Sequence, residues 1–225
     1  MENIVILLAQ FLAVVLVLTT HEFAHAYFAY KCGDPTAKMM GRMTLNPLKH
    51  FDPLGLILFA FAGFGWAKPV PINVNNFKNY KKGCFWTSIA GVLVNYATAF
   101  LFYPLLLLIW LYLLPHLAGT YAYVFVRVLF TSIFTFSLSF CVFNLLPLYP
   151  LDGFRILESA NALKGKSYYF LRQYGYQILL GLIAVHILSG YIPYLGYIDL
   201  LGYVLTFAVD FFGKPITLFW DWLIL

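Results

Sequence analysis

The sequence predicts an all-α integral membrane protein with about five transmembrane helices and one short re-entrant or extended segment at the membrane edge. Of its 225 residues, 62% are hydrophobic and 10% are charged, whereas a soluble domain has about 25% charged residues. The hydrophobic residues form long uncharged runs, as membrane-spanning helices require. The polar stretches between them are short, so we expect one membrane-embedded domain over residues 1–225.

The first half of the chain predicts one long helix and one incomplete crossing. Residues 4–30 give a helix of about 40 Å at 1.5 Å per residue, which exceeds the ~30 Å hydrocarbon core. A polar loop follows at 31–52. The uncharged stretch 53–67 is too short for a comfortable span, and the Pro-Val-Pro after it ends any helix. We therefore expect a re-entrant or membrane-edge segment there.

The second half of the chain predicts four further helices and a surface tail. The apolar runs are separated by turns rich in Gly, Pro or charge, and the last eleven residues carry aromatic side chains suited to the membrane interface. The predicted helices cover 84–114, 122–148, 174–190 and 200–212.

The basic residues predict the orientation of the chain in the membrane. If the loop after the first helix is cytoplasmic, then all of the 14 Lys and Arg residues except Arg127 lie on the cytoplasmic side, as the positive-inside rule requires. The N-terminus is then outside. The net charge of +5 is scattered over short loops, which gives no indication of a nucleic-acid partner.

The motif HEFAH places three ionisable residues in the last third of the first helix. His21 and His25 are four residues apart, so both imidazoles face one side of the helix and can bind one metal ion. Glu22 stands beside the first ligand, where it can act as a general base. The alternative is a polar helix contact or proton path. Three costly residues in one membrane helix favour a zinc site.

A catalytic zinc ion takes three protein ligands, so a third must come from elsewhere in the chain. Asp152 is favoured because it follows a complete span and ends at the same cytoplasmic level, although Asp-Gly also marks a simple helix exit. Asp210 is the reserve candidate. His50 either caps or anchors its loop, which is the favoured role, or lines the entrance to the site. The remaining candidates have no evident route to the pair: Asp34, Asp52 and Asp199, with His116 and His186 towards the outer face.

Together these motifs resemble the site-2 protease family of intramembrane zinc metalloproteases. The shared segments are HEFAH, GDPTAKMMGRMTLNPLKHFDPLG, GFGWAKPVPIN, AGVLVN and NLLPLYPLDG, over about residues 4–160. The likeness is closest to the small prokaryotic members that lack a PDZ or CBS domain. It implies that His21, His25 and Asp152 bind one Zn²⁺ per chain and that Glu22 is the general base.

The resemblance also implies roles for two asparagines. Asn144 matches the Asn of N-x-x-P-x-x-x-L-D-G and is expected near the active site. Asn95 matches that of G-x-x-x-N and is expected to contact substrate or the developing oxyanion. For both, an ordinary interhelical hydrogen bond is the alternative. The sequence departs from the family at Val92, where a Pro often follows the Gly.

The expected function is hydrolysis of peptide bonds within or near transmembrane segments of membrane-protein substrates, which is regulated intramembrane proteolysis. A catalytic core over about 4–160 would carry accessory helices at about 174–213. The extended segment 62–72 would bind the unwound substrate by strand addition, or else simply pack the fold.

The main alternative is a membrane metal transporter that uses the same His and Asp residues. A di-iron oxygenase would need more than the five histidines present, and an inactive interaction protein would not need the full catalytic set.

Overall fold

The computed structural model describes residues 1–55, 58, 65–160 and 165–225, and the regular elements within these ranges are helices. Three short 3₁₀ turns lie in the connections, at Pro47–Lys49, Val74–Asn76 and Pro193–Ile198. The helices are α1 (Glu2–Cys32), α2 (Thr36–Met39), α3 (Tyr80–Leu117, with a π-helical stretch at Ile109–Leu113), α4 (Tyr121–Leu145), α5 (Asp152–Ala160), α6 (Lys166–Ser189) and α7 (Leu200–Ile224).

Four of these helices, α1, α3, α4 and α7, are long and apolar enough to cross a membrane. The fifth predicted span, 174–190, is also helical, but it belongs to α6, which begins eight residues earlier with polar and basic residues. The prediction of an all-α membrane protein is confirmed. The helices start earlier than the apolar runs because capping residues precede them: Asn79 accepts the N–H of Lys82 at the start of α3, and Thr120 caps α4.

The centre of the molecule is a three-helix group formed by α1, α3 and α4, which contact one another along their lengths. The buried positions of α1 are largely small residues, including Ala9, Ala13 and Ala24, and α3 contributes Ala90 and Gly91. Small residues let membrane helices approach closely. Van der Waals packing then holds the helices together, because no hydrophobic driving force acts between helices in lipid. This close approach brings the polar residues of α1 within reach of the α3 backbone.

The predicted surface tail is instead the second half of α7. The helix continues through Pro215 to Ile224, and its end packs against α3. The ring of Trp220 lies 5.2 Å from that of Phe100, and Asp221 Oδ1 accepts a hydrogen bond of 3.0 Å from the hydroxyl of Tyr103. Phe219 and Trp220 thus pack against the ring of Phe100, a tertiary contact that composition alone does not show.

Most of the predicted re-entrant segment, residues 53–67, lies outside the described residues, as does the start of the predicted substrate-binding segment 62–72. Among the residues that are described, 53–55 are helical and the stretch from residue 65 onward is extended. It pairs with the loop before it through an isolated antiparallel bridge between Phe51 and Ala67. The N–H of Lys68 also donates to the carbonyl of His50 at 2.9 Å.

Candidate metal centre

The structure brings His21, His25 and Asp152 together between α1 and the start of α5. The two Nε2 atoms are 2.9 Å apart, and Asp152 Oδ2 lies 3.1 Å from His25 Nε2 and 3.4 Å from His21 Nε2. All three side chains are buried. Within the described parts of the chain, this is the one group of three or more His, Cys, Asp or Glu residues whose donor atoms could hold a metal ion.

The donor set fits zinc. Asp152 Oδ2 is buried and has no hydrogen-bond partner, although it lies against two imidazoles. A buried carboxylate oxygen without a partner is costly, and a cation among these three donors would satisfy it. Two imidazole nitrogens and one carboxylate oxygen are a known ligand set for catalytic zinc, which keeps its fourth position open.

Helix α3 contacts the Nδ1 atoms of both imidazoles. His25 Nδ1 lies 2.7 Å from the carbonyl oxygen of Thr87, and His21 Nδ1 lies 3.1 Å from the Asn95 amide. Gly91 stands between these two positions on the same face of α3, and a Cβ there would lie 2.5 Å from His21 Cε1. Thr87, Gly91 and Asn95, which recur every fourth residue, form a surface that we call the α3 cradle.

Glu22 lies next to the ligands but makes a different contact. Its Oε2 accepts a hydrogen bond of 2.8 Å from the N–H of Val70, in the extended segment that follows the Phe51–Ala67 bridge. The carboxylate is buried. This segment therefore covers the candidate base. Side-chain identity does not indicate the contact, because the donor is a backbone group.

The third ligand is placed by the close approach of α5 to the end of α4. Asp152 is the first residue of α5. A Cβ on the next residue, Gly153, would lie 2.3 Å from the carbonyl oxygen of Leu145, so only glycine fits there. A further contact holds the far end of α5, where Glu158 accepts a hydrogen bond of 2.6 Å from the hydroxyl of Tyr168 in α6.

Asp34, rejected as a ligand, fastens the segment that covers Glu22. Its Oδ2 accepts the N–H of Asn73 at 2.7 Å, and its Oδ1 accepts the side-chain amide of Asn76 at 2.8 Å. Burial alone would raise the pKa of the Asp34 carboxyl, but hydrogen bonds from Thr36, Asn76 and Asn73 lower that pKa below its ordinary value. The charged form is therefore the one that holds the segment.

Arg42 and His50 hold the same region. A guanidinium nitrogen of Arg42 donates to the carbonyl of Lys68 at 2.8 Å and to that of Pro69 at 3.3 Å. His50 is buried and its Nε2 lies 2.8 Å from the carbonyl oxygen of Thr44, a contact within its own loop of the kind that an anchoring residue makes. Sequence analysis missed the role of Arg42, although it is the one Arg in the loop that precedes the extended segment, which was the available signal.

The other predicted residues have different surroundings. Asp210, the reserve ligand, is exposed on α7 and does not belong to the metal-binding group. Asn144 is half-buried near the end of α4, and its amide donates to the carbonyl of Phe140 in the same helix at 3.0 Å. Asn95 is completely buried, against His21 as described.

The two histidines expected towards the outer face do not join the group of donors. His116 is exposed at the end of α3. His186 Nδ1 lies 2.8 Å from Asp199 Oδ2, and the N–H of Gly202 donates to Asp199 Oδ1 at 2.8 Å. These contacts join the end of α6 to the start of α7.

A helical membrane protein with two imidazoles, a carboxylate and an adjacent buried glutamate has the architecture of a metallopeptidase. The model of peptidase family M50 matches residues 9–185, so the chain belongs to that family. The resemblance to site-2 proteases is confirmed, and the chain is a zinc metallopeptidase of the membrane.

Similar proteins carry names of the same class. The chain is 46% identical over 153 residues to "Putative zinc metalloprotease YwhC" of Bacillus subtilis, a match that covers 67% of this chain and 69% of the relative. It is 28% identical over 212 residues to "Putative zinc metalloprotease Rip2" of Mycolicibacterium smegmatis, with 91% and 77% covered. No solved structure matches the chain.

Proposed function

We propose that the chain is an intramembrane endopeptidase that hydrolyses peptide bonds within or near transmembrane segments of membrane proteins, in regulated intramembrane proteolysis. The observation that carries this proposal is the position of the metal-binding group. His21 and His25 lie in the second half of α1, a helix apolar enough to span a membrane, so we infer that they lie within the hydrocarbon layer and not at the aqueous surface. A peptidase that acted on soluble substrates would not need to bury its ligands there.

Each residue of the group has a distinct proposed role. His21, His25 and Asp152 hold one Zn²⁺ per chain. When bound, zinc supplies Lewis-acid chemistry, which polarises the scissile carbonyl and lowers the pKa of water. Glu22 accepts the proton of the attacking water and delivers it to the leaving amine. Asn144 is proposed to face the substrate from the end of α4.

The substrate must pass the extended segment to reach the metal-binding group, because that segment covers Glu22. A transmembrane helix has its carbonyls in hydrogen bonds, so it must unwind before its peptide bond is attacked. We propose that the segment 62–72, of which 65–72 is described, binds the unwound chain by strand addition. Support comes from its fastening: Arg42 and Asp34 hold it on one side, and its Val70 N–H contacts Glu22.

The proposed orientation follows from the charges. With the loop after α1 in the cytoplasm, the metal-binding group faces the cytoplasmic side and the N-terminus is outside, because nearly all basic residues then lie inside. The proposed domain is single, over residues 1–225, with the catalytic core at about 4–160 and accessory helices at about 174–213. Its partners are the lipid bilayer and a membrane-protein substrate.

The test is cleavage of a single-span substrate by the purified full chain in liposomes. Wild type is compared with Glu22→Gln, and the zinc content of both is measured. We expect equal zinc content and a loss of cleavage of about 10²-fold or more in the variant, the contribution of a general base. Equal cleavage at equal zinc content would refute the role of Glu22. Zinc uptake into the liposomes that is unaffected by Glu22→Gln would favour the transporter.

A further inference from the structure

Asn95 is buried against one of the proposed metal ligands, His21. Its side chain is completely buried, with 0% of its surface exposed. One amide atom lies 3.1 Å from His21 Nδ1. The other amide atom, Oδ1, is buried and has no hydrogen-bond partner when Nδ2 is the atom that faces the histidine. The contact with His21 is therefore the principal polar contact of this buried amide.

The protonation of His21 decides which amide atom must face it. His21 presents Nε2 to the other donors of the metal centre, at 2.9 Å from His25 Nε2 and 3.4 Å from Asp152 Oδ2. A neutral imidazole that binds metal through Nε2 carries its proton on Nδ1. That N–H needs an acceptor, and an amide nitrogen cannot be one. A half-turn of the Asn95 amide, which leaves its shape unchanged, places Oδ1 opposite the proton.

His25 shows the same arrangement without any choice of orientation. Its Nδ1 lies 2.7 Å from the carbonyl oxygen of Thr87, which can only accept. The Nδ1 of His25 is therefore the protonated nitrogen, and its Nε2 is free to bind metal. Thr87 and Asn95 belong to the α3 cradle, so one helix supplies an oxygen acceptor to each ligand histidine. Gly91 between them leaves the room that both rings need.

We propose that Asn95 is a positioning residue, whose amide oxygen accepts the Nδ1–H of His21 and fixes the tautomer and orientation of that ligand. This inference rests on the zinc site of the proposed function, and it replaces the expectation that Asn95 contacts substrate or the oxyanion. Acceptors behind a ligand histidine orient the ring and raise its basicity, and their loss lowers metal affinity by about 10- to 100-fold.

The test uses two substitutions of Asn95 for which a positioning role and an oxyanion contact predict different results. Asn95→Leu keeps the number of side-chain heavy atoms and the branch at Cγ but removes the acceptor. Asn95→Asp keeps an oxygen acceptor but removes the donor that an oxyanion would need. Thr98→Val is the matched control, because Thr98 is buried on the same helix and its hydroxyl donates to Val94 of α3 itself. Zinc affinity is measured by chelator competition, and Co²⁺-substituted protein gives an absorption spectrum of the ligand field.

We expect Asn95→Leu to bind zinc about 10- to 100-fold more weakly and to alter the Co²⁺ spectrum. Asn95→Asp should bind zinc at least as tightly as wild type, and Thr98→Val should match wild type. If Asn95→Leu does not fold by circular dichroism, Asn95→Ala takes its place with the same expectation.

Wild-type zinc affinity in the folded Leu or Ala variant would overturn the proposal. So would unchanged affinity in all variants with cleavage lost in Asn95→Asp, which is the pattern of an oxyanion contact. Failure of the wild type to cleave any single-span substrate, with the affinity pattern as expected, would refute the proposed function and leave the role of Asn95 intact.

Discussion

Gly91→Ala tests whether the close approach of α3 to the ligand histidines is required. A Cβ at this position would lie 2.5 Å from His21 Cε1, 2.7 Å from His21 Nδ1 and 2.6 Å from His25 Nε2. Ordinary contacts of a Cβ begin at 3.4 Å, so the shortest of these contacts falls about 0.9 Å short. Both rings face the same new methyl group, and neither can turn away without leaving its acceptor on α3.

The displacement is large for a metal site. Ligand distances must hold within about 0.2 Å, and a misplacement of about 1 Å in an active site lowers the rate about 10²-fold. Overpacking costs about 1–3 kcal/mol, while alanine in place of glycine inside a helix recovers up to about 1 kcal/mol. The fold should therefore survive with a loss of about 0–2 kcal/mol, whereas zinc affinity and cleavage fall.

The assay measures zinc affinity, cleavage of a single-span substrate and thermal stability of the purified variant. Gly181→Ala is the matched control, because Gly181 is exposed inside α6 and a Cβ there meets nothing within 4 Å. We expect at least a 10-fold loss of zinc affinity and about a 10²-fold loss of cleavage for Gly91→Ala alone. If Gly91→Ala binds zinc and cleaves like the control, the cradle does not constrain the histidines.

Three further predictions concern the elements around the site. Gly153→Ala should lose zinc, measured by metal content, because its Cβ would meet the carbonyl of Leu145 at 2.3 Å and displace the third ligand. Arg42→Met should bind zinc normally but cleave less and become more sensitive to limited proteolysis, because the carbonyl of Lys68 loses its donor, at a cost of about 1–3 kcal/mol. The lowered pKa of Asp34 means that its hydrogen bonds stabilise the fold above the ordinary carboxyl pKa of about 4. That contribution disappears as the pH falls through the lower folded value, and Asp34→Asn should remove this acid dependence in thermal denaturation.

Each of these predictions has a control and a contrary outcome. Gly165→Ala places its Cβ in open space and should keep full zinc content, so equal loss in both glycine variants would contradict the packing argument. Lys49→Met removes an exposed cation from the loop that contains Arg42. If it changes cleavage and proteolysis as much as Arg42→Met does, the loss of charge and not of the hydrogen bond is responsible. If Asp34→Asn loses thermal stability at acidic pH as wild type does, other carboxyl groups are responsible for that loss.

The sequence predicts the membrane class and the three residues of the candidate metal-binding group because both depend on local signals. Apolar runs mark α1, α3, α4 and α7, and HEFAH needs only the helical spacing of its two histidines. Asp152 was found by its depth after a complete span. In each case the information lies within one helix or at one helix end, where periodicity and hydrophobicity decide the structure.

The rest depends on contacts between distant segments. The donor to Glu22 is the backbone N–H of Val70, and the acceptor for His25 is the backbone carbonyl of Thr87. Side-chain identity predicts neither contact, because any residue except proline has both of these backbone groups. The contact of Asn95 with His21 Nδ1 joins α3 to α1, so the G-x-x-x-N pattern by itself did not indicate it. The prediction of a surface tail was wrong because α7 continues through Pro215 to Ile224, where its end packs against α3.

The metal-binding group also joins parts of the chain that are far apart in sequence. His21 and His25 belong to the first helix, and Asp152 begins the fifth. A ligand that binds the folded state alone stabilises it by about 2.7 kcal/mol at a concentration 100-fold above its dissociation constant. Zinc therefore acts as a reversible cross-link between the two halves of the peptidase core. Its removal should loosen α5 against α1 before any other helix pair, and hydrogen exchange can follow that loosening amide by amide.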